Sequence, residues 1–308
     1  MNINYSVIIP HHNTPNLLQR LIDSIPQRDD LEIIVVDDNS DDDKKPNIVR
    51  NDVQLYYIDK DQTKGAGRAR NVGLDHAKGK WLIFADSDDF FSGAISVLLD
   101  KYKDSENDII YFKVEGRDSD TLQPAERGDV YNGRVEKYLK KKNKYSEEIL
   151  RYCHYVPWGK IISKSLVDKY NIKFEEIRYS NDLMFSILIG HYAKRIEASS
   201  DVIYYITIRM GSLTNQVTLE SCKCRFAVTV RRMRFLWDNK KWHLIKSMHP
   251  QLIKYRKLYG YKEVKNFISI MKENGIGWRH ILMGEIIYQF FRIRNICCKC
   301  YDVFIQNI

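Results

Sequence analysis

Tyr5 to Asp37 reads YSVIIPHHNTPNLLQRLIDSIPQRDDLEIIVVD. Its two ends, residues 5–10 and 31–37, are short unbroken apolar runs that stop at polar residues, as strands buried on both faces of a parallel sheet do. Between them Leu17, Leu18, Leu21, Ile22 and Ile25 recur at the spacing of one helical face. This predicts a helix over 15–25, with Pro15 in its first turn and Asn13 or Thr14 as cap. Strand, helix and strand in this order make a βαβ unit. The alternation continues with strands expected near 54–59, 81–86 and 108–114 and helices near 67–77 and 94–102. The fold class that follows is α/β, a Rossmann-like, mostly parallel sheet flanked by helices, which binds ligands at the carboxyl ends of its strands.

Polar clusters stand at those ends. His11, His12 and Asn13 follow the first strand, Asp37 and Asp38 the second, and Asp86, Ser87, Asp88 and Asp89 follow W-L-I-F-A. Any one of them reads equally well as a turn. Together they mark one edge of one sheet as a site. Three carboxylates within four residues repel one another unless a cation or donor groups lie among them, and hard oxygen ligands suit Mg2+ or Mn2+. The cluster therefore reads as a metal site for a phosphorylated ligand. With carboxylates supplying the metal, His11 and His12 are expected to hydrogen-bond around the site instead of ligating. The loop K-G-A-G-R-A-R-N (64–71) has Arg70 where a dinucleotide fingerprint needs glycine, and no Walker sequence is present. Two arginines beside glycines at a helix start still suit a diphosphate.

Four segments resemble the nucleotide-binding half of the family 2 glycosyltransferases, which have the type-A glycosyltransferase fold: V-I-I-P-x-x-N (7–13), V-V-D-D-N-S-D-D (35–42), G-A-G-R-A-R-N-V-G-L (65–74) and A-K-G-K-W-L-I-F-A-D-S-D-D (77–89). Weaker matches at 156–166, 179–185 and 204–214 resemble that family's acceptor side. The resemblance implies sugar transfer from a nucleotide diphosphate donor, with UDP as the nucleotide and inversion at the anomeric carbon, to a glycan acceptor of the cell surface, carried on a lipid. It also implies that Pro10, Asn13, Asp38 and Arg70 line the nucleotide pocket, Asp38 accepting from the base. Asp86 would face the ribose, and Asp88 with Asp89 would hold the metal on the diphosphate. The base that deprotonates the acceptor would be Asp182, although Asn181 stands where the family has Glu. On the residues alone, Asp182 serves equally as a helix cap. Trp158 is read either as a platform for an acceptor sugar or as a packed loop residue. Arg209, ahead of Gly211 and Ser212, is read as a contact to the donor phosphates if its loop closes. Two rivals are a nucleotidyltransferase of related fold and a nucleic-acid-binding protein. The first calls for a Gly-rich loop after the first strand, where this chain has P-H-H-N-T-P.

Charge is unevenly placed. Residues 1–221 carry 31 Lys and Arg against 35 Asp and Glu, and residues 222–308 carry 18 against 5, so all of the net +9 lies in the last segment. An acidic body with a basic tail argues against nucleic acid as the main ligand and suggests that the tail meets an anionic surface. Phe226, Val230, Met233 and Trp237, and again Val264, Phe267, Ile268 and Met271, recur at helical spacing among basic residues. Such helices either pack on the catalytic domain or lie on a membrane with Trp237, Trp242 and Trp278 at the interface. The expected organisation is a nucleotide-sugar half (1–115), an acceptor half of the same domain (116–221) and a basic helical extension (222–308). No stretch is long and apolar enough to span a bilayer, and the N-terminus enters strand sequence without the features of a signal peptide. A cytoplasmic protein, peripheral on the inner face of the membrane, is expected. Q-F-F-R-I (289–293) lacks the Trp of the processive synthases' Q-x-x-R-W signature. The six cysteines lack the paired spacing of zinc sites and read as free thiols, with a metal site in the tail as the lesser alternative.

Overall fold

The computed structural model describes residues 3–58, 65–209, 217–277, 280 and 282, and it bears out the alternation read from the sequence. Strands β1 (Tyr5–His11), β2 (Leu31–Asp37), β3 (Val53–Tyr57) and β4 (Trp81–Phe84) alternate with helices α1 (Pro15–Asp23) and α2 (Ala66–His76). There follow β5 (Phe90–Phe91), α3 (Ile95–Tyr102), β6 (Ile109–Asp118), α4 (Asp129–Lys140), α5 (Lys144–Cys153), β7 (Lys160–Ser163), α6 (Lys164–Lys169), α7 (Leu183–Tyr192) and β8 (Ile196–Ile208). Every residue of β1 and β2 is buried, which is why both read as continuous apolar runs.

Among the described residues these eight strands share one sheet in the order β3-β2-β1-β4-β7-β6-β8-β5. The first four are mutually parallel. Beyond β4 the sheet is mixed: β7 runs antiparallel to both β4 and β6, β8 is parallel to β6, and β5 is antiparallel to β8. Residue 115 lies within β6, so the two expected halves share that strand and one sheet.

Chain order reverses at β1, which pairs with β2 on one side and β4 on the other; this is the switch point where such sheets open a crevice. Pro10 sharpens the opening. β1 stays in register with β4 only as far as Ile8 and Phe84, and Pro10, two residues on, has no N–H to extend the ladder. The α1 cap is Thr14, but its hydroxyl does not cap the helix: it lies 3.1 Å from Ser87 Oγ, in the acidic turn after β4.

The glycines of the 65–74 motif allow close approach. A methyl group on Gly67 would stand 2.1 Å from the Glu175 carbonyl oxygen, so α2 lies against the segment that leads to α7. Asn71 fastens the same segment, donating from Nδ2 to the Phe174 carbonyl (3.0 Å) and accepting the Phe174 N–H (2.8 Å).

The chain divides into two compact units, Met1–Gln216 and Val217–Ile308. In the second, α8 (Leu219–Asp238) opens on a capping box of Thr218 and Ser221, so residue 222 falls inside its first turn. α9 (His249–Glu273) carries Pro250 in its first turn and is interrupted at Gly260, where φ is +82°. Tyr255 and Phe267 of α9 stack at 4.4 Å, and Phe226 of α8 meets both rings in edge-to-face contact. Cys153 and Cys222 are buried and Cys224 is partly exposed, and none of the three is in a disulfide. The cysteines at 297, 298 and 300, the Q-F-F-R-I stretch, Trp278, Gly211 and Ser212 lie outside the described residues. Among the described residues no helix is long and apolar enough to cross a membrane.

Candidate active site

The carboxyl ends of β1, β2 and β4 gather the residues expected there. His11 is buried and sits at an oriented junction: its Nε2 accepts the Thr14 N–H (3.2 Å), so Nδ1 carries the proton and donates it to Asp37 Oδ1 (2.8 Å). Burial pushes the Asp37 carboxyl up, but hydrogen bonds from His11 and from the hydroxyl and N–H of Ser40 outweigh it and hold the group below the usual carboxylate range. Asn13, at φ +55°, exchanges hydrogen bonds with Asp41 through both ends of its amide. Asp38 Oδ2 accepts the Gly65 N–H at 2.7 Å, tying the second polar cluster to the glycine motif.

Arg70 joins the two halves. From α2 its Nη2 reaches Asp86 Oδ1 (2.5 Å) and its Nη1 reaches Asn181 Oδ1 (2.8 Å), with its guanidinium over the Phe174 ring. Asn181 is buried and also donates to the Ile177 carbonyl. It supplies an amide oxygen to the arginine at the position where the family has a carboxylate.

The acidic turn is held mostly by residues that local sequence does not reveal. The Asp86 N–H donates to the hydroxyl of Tyr204 (2.8 Å), and the Asp88 carbonyl accepts from Arg20 Nη2 (2.6 Å) and from Thr207 Oγ1 (2.7 Å). The two carboxylates expected to share a metal face different surroundings. Asp88 is partly exposed and its Oδ2 pairs with Arg209 Nε at 3.0 Å. Asp89 is 2 % exposed and its Oδ1 accepts the Thr207 N–H at 2.7 Å. Burial, then the charges of Asp88 and Asp86, push the Asp89 carboxyl well above the carboxylate range.

Asp182 is the residue just ahead of α7, yet its side chain makes no capping hydrogen bond. Burial pushes its carboxyl up, Arg70 pulls it back and Asp86 pushes it up again. Such a group is a proton acceptor in the making. Lys160, which the sequence reading passed over, also acts on it. Trp158 is corrected by the structure: at 5 % exposure, with its ring along Tyr204 and its edge against Tyr131, it has no open face for an acceptor sugar and belongs to the core behind the acidic turn.

Among the described residues no three His, Cys, Asp or Glu side chains are grouped as a ready metal cage. The donor set fits a cation of another kind, one held by a single protein carboxylate and completed by a diphosphate, as Mg2+ is at many phosphate sites. Asp88 is the carboxylate open to such an ion, and Asp89 is committed to Thr207.

A sheet with its crevice at β1 and β4 and an acidic turn at that crevice defines an α/β protein whose ligand site lies at the carboxyl edge of the sheet. The model of the family described as glycosyl transferase family 2 matches residues 6–170, more than half of the chain, and the chain belongs to that family. It is 43% identical over 103 residues to the GalNAc(5)-diNAcBac-PP-undecaprenol beta-1,3-glucosyltransferase of Campylobacter jejuni, covering 31% of this chain and 33% of that protein. The poly(ribitol-phosphate) beta-N-acetylglucosaminyltransferase TarS of Staphylococcus aureus is 29% identical over 219 residues, covering 67% and 36%. The chain thus spans about a third of the length of these two relatives. A glycosyltransferase of Mycoplasma genitalium, 23% identical over 302 residues, matches 93% of this chain and 96% of its own length. The crystal structure of S. aureus TarS 1–349 in complex with UDP-GlcNAc shares the fold, with TM-score 0.69 at 20% identity over 96% of this chain and 88% of that one.

The Arg70 fork can be tested alone. Arg70→Met leaves the partly exposed Asp86 and the buried Asn181 oxygen without their donor, and a buried polar group left unsatisfied costs about 1–3 kcal/mol. Chemical denaturation is expected to show a loss of that order, and an unchanged midpoint would mean that the fork does not join the halves.

Proposed function

We propose that the chain is an inverting glycosyltransferase that moves a sugar from a UDP-sugar to a glycan acceptor in the synthesis of a cell-surface polysaccharide or lipopolysaccharide. The observation that carries this reading is the placement of Asp182, a carboxyl raised by burial, beside the Arg70–Asp86 pair at the crevice edge. Direct displacement needs a base for the acceptor hydroxyl, and Asp182 is that base. Pro10, Asn13, Asp38, Arg70 and Asp86 line the nucleotide side. Asp88 holds Mg2+ or Mn2+, which, when bound, offsets the charge of the departing diphosphate as a Lewis acid. Arg209 lies beside Asp88 and faces the same charge. Asp89 keeps the turn in place through Thr207. The C. jejuni relative's name supports an acceptor carried on a polyprenyl diphosphate, and the TarS complex supports UDP as the donor nucleotide.

Hydrolysis of a panel of sugar nucleotides by the purified chain tests the activity, and turnover of none of them would overturn it. Within that assay Asp182→Asn is expected to bind UDP as the wild type does by calorimetry and to lose about 10²–10⁴-fold in turnover. Because the base works ionised, wild-type turnover is expected to fall as pH drops through the raised Asp182 range. Asp88→Asn is expected to abolish turnover, as is excess chelator, whereas Asp89→Asn retains an oxygen for the Thr207 N–H and keeps more activity. Equal loss in the two variants would return Asp89 to the metal.

The second unit docks on an anionic membrane without crossing it, which brings a lipid-linked acceptor to the enzyme. α9 supports this: Tyr255, Phe267 and Met271 are buried, while Ile253, Leu258 and Tyr261 are exposed among Lys254, Arg256, Lys257 and Lys262. Each basic residue near a negative leaflet contributes about 1 kcal/mol. Liposome co-sedimentation is expected to show binding to anionic vesicles that is lost in high salt and in a chain ending at residue 216. Equal pelleting with neutral lipid would overturn the docking.

A further inference from the structure

We infer that Arg209 competes with the divalent cation for Asp88, so that the cation enters the site together with a diphosphate that draws the guanidinium away. The inference rests on the reading of Asp88 as the carboxylate that holds the ion. All three carboxylates of the acidic turn have a partner within this chain. Asp86 Oδ1 accepts from Arg70 Nη2 at 2.5 Å, Asp88 Oδ2 accepts from Arg209 Nε at 3.0 Å, and Asp89 Oδ1 accepts the Thr207 N–H at 2.7 Å. A cation that takes a carboxylate of this turn as its ligand meets a group already bonded to it.

Which partner yields is decided by how each is anchored. The Arg70 side chain is 6 % exposed, lies over the Phe174 ring and holds Asn181 Oδ1 with its other amino group. The Thr207 N–H belongs to the backbone of β8, where Thr207 is in register with Arg117 of β6. Moving either would unmake buried structure. Arg209 differs on each count: it follows Ile208, the last residue of β8, its side chain is 35 % exposed, and among the described residues Asp88 is its ion-pair partner. Asp88 itself is fixed through its main chain. Its carbonyl accepts from Arg20 Nη2 (2.6 Å) and from Thr207 Oγ1 (2.7 Å), which leaves the guanidinium of Arg209 as the part that moves.

The charges give the direction of the effect. With Arg70 on Asp86 and Arg209 on Asp88, two of the three carboxylates stand in neutral pairs, and a guanidinium 3.0 Å from the ligand oxygen repels a divalent ion. A bare cation is therefore held weakly. A diphosphate changes the balance, because its oxygens offer the guanidinium an acceptor that arginine matches well, and Asp88 is released to the metal. Cation and nucleotide then strengthen each other's binding, by the same factor in either order. If Arg209 merely fastened the end of β8 to the turn, its loss would lower stability and leave the cation no better bound.

The test titrates the full chain with Mn2+ alone, in chelator-stripped buffer, and reads the free ion by electron paramagnetic resonance. Arg209→Gln is expected to bind Mn2+ about five- to tenfold more tightly than the wild type, the worth of a partly exposed ion pair together with one like charge removed. Arg209→Lys, which keeps the charge, is expected to stay near the wild type. Calorimetry with UDP, in excess Mn2+ and in excess chelator, reads the coupling. The factor by which Mn2+ strengthens UDP binding is expected to shrink in Arg209→Gln by about the same five- to tenfold. Unchanged Mn2+ affinity in Arg209→Gln overturns the inference and, where Asp88→Asn loses the ion, leaves the metal reading intact. A gain that persists in the Asp88→Asn, Arg209→Gln double variant takes the ion away from Asp88 and overturns both. A gain that depends on Asp88 but leaves the UDP coupling undiminished makes Arg209 a simple block and overturns its exchange onto the diphosphate.

Discussion

One guanidinium holds the candidate site together. Arg70 sits on a helix of the parallel part of the sheet and spends its two amino groups on residues far apart in the chain, Asp86 in the acidic turn and Asn181 ahead of α7. The rest of the motif serves that reach. Gly67 lets α2 come against the backbone at Glu175, Asn71 locks Phe174 from both sides, and Gly65 turns its N–H toward Asp38. A bulkier residue at 67 would separate the surfaces that the arginine joins. The G-A-G-R-A-R-N stretch thus works as a clamp between the acidic turn and the segment that leads to α7, a use of glycine and arginine different from cradling a phosphate.

The parallel strands and the residues at their carboxyl ends were legible because burial on both faces and polar termination are local properties of the chain. The strands expected over 5–10, 31–37 and 108–114 are found within a few residues. Less legible was whatever depends on partners remote in sequence. The single-strand antiparallel insertion of β7 carries no periodic signature in four residues. Arg20, Tyr204 and Thr207 hold the acidic turn from elsewhere in the chain, and Tyr204 and Thr207 stood in a segment, 204–214, that was matched as a whole to the acceptor side. Lys160 resembled any lysine after a glycine, since its burial is set by β4 and β6 on either side. Trp158 was ambiguous in the sequence because a Pro-Trp-Gly context fits a surface platform and a packed corner equally, and the stacked Tyr204 decides between them. Asp88 and Asp89 were equivalent as letters and are separated by their partners, Arg209 for the partly exposed carboxylate and the Thr207 N–H for the buried one.

The second unit shows the complementary limit. The apolar spacing of α8 and α9 was plain, but the break at Gly260 was not, because a lone glycine in a helical pattern is ordinarily tolerated. Its aromatic core of Phe226, Tyr255 and Phe267 gives this unit an interior of its own, and its basic residues are left mainly on the outside.

The hydrogen bond between Asp89 and Thr207 spans 118 positions and has a consequence for the order in which the chain is made. A polypeptide emerging from its N-terminus has β1 to β4 available early, but the acidic turn stays in water, with its three carboxylates ionised, until β8 arrives to cover it. Docking of that strand buries Asp89, and burial with the neighbouring charges of Asp88 and Asp86 pushes its carboxyl well above the carboxylate range, so completion of the sheet raises its affinity for a proton. The edge that closes the fold last is also the edge on which the site is built, and an unfinished chain has neither.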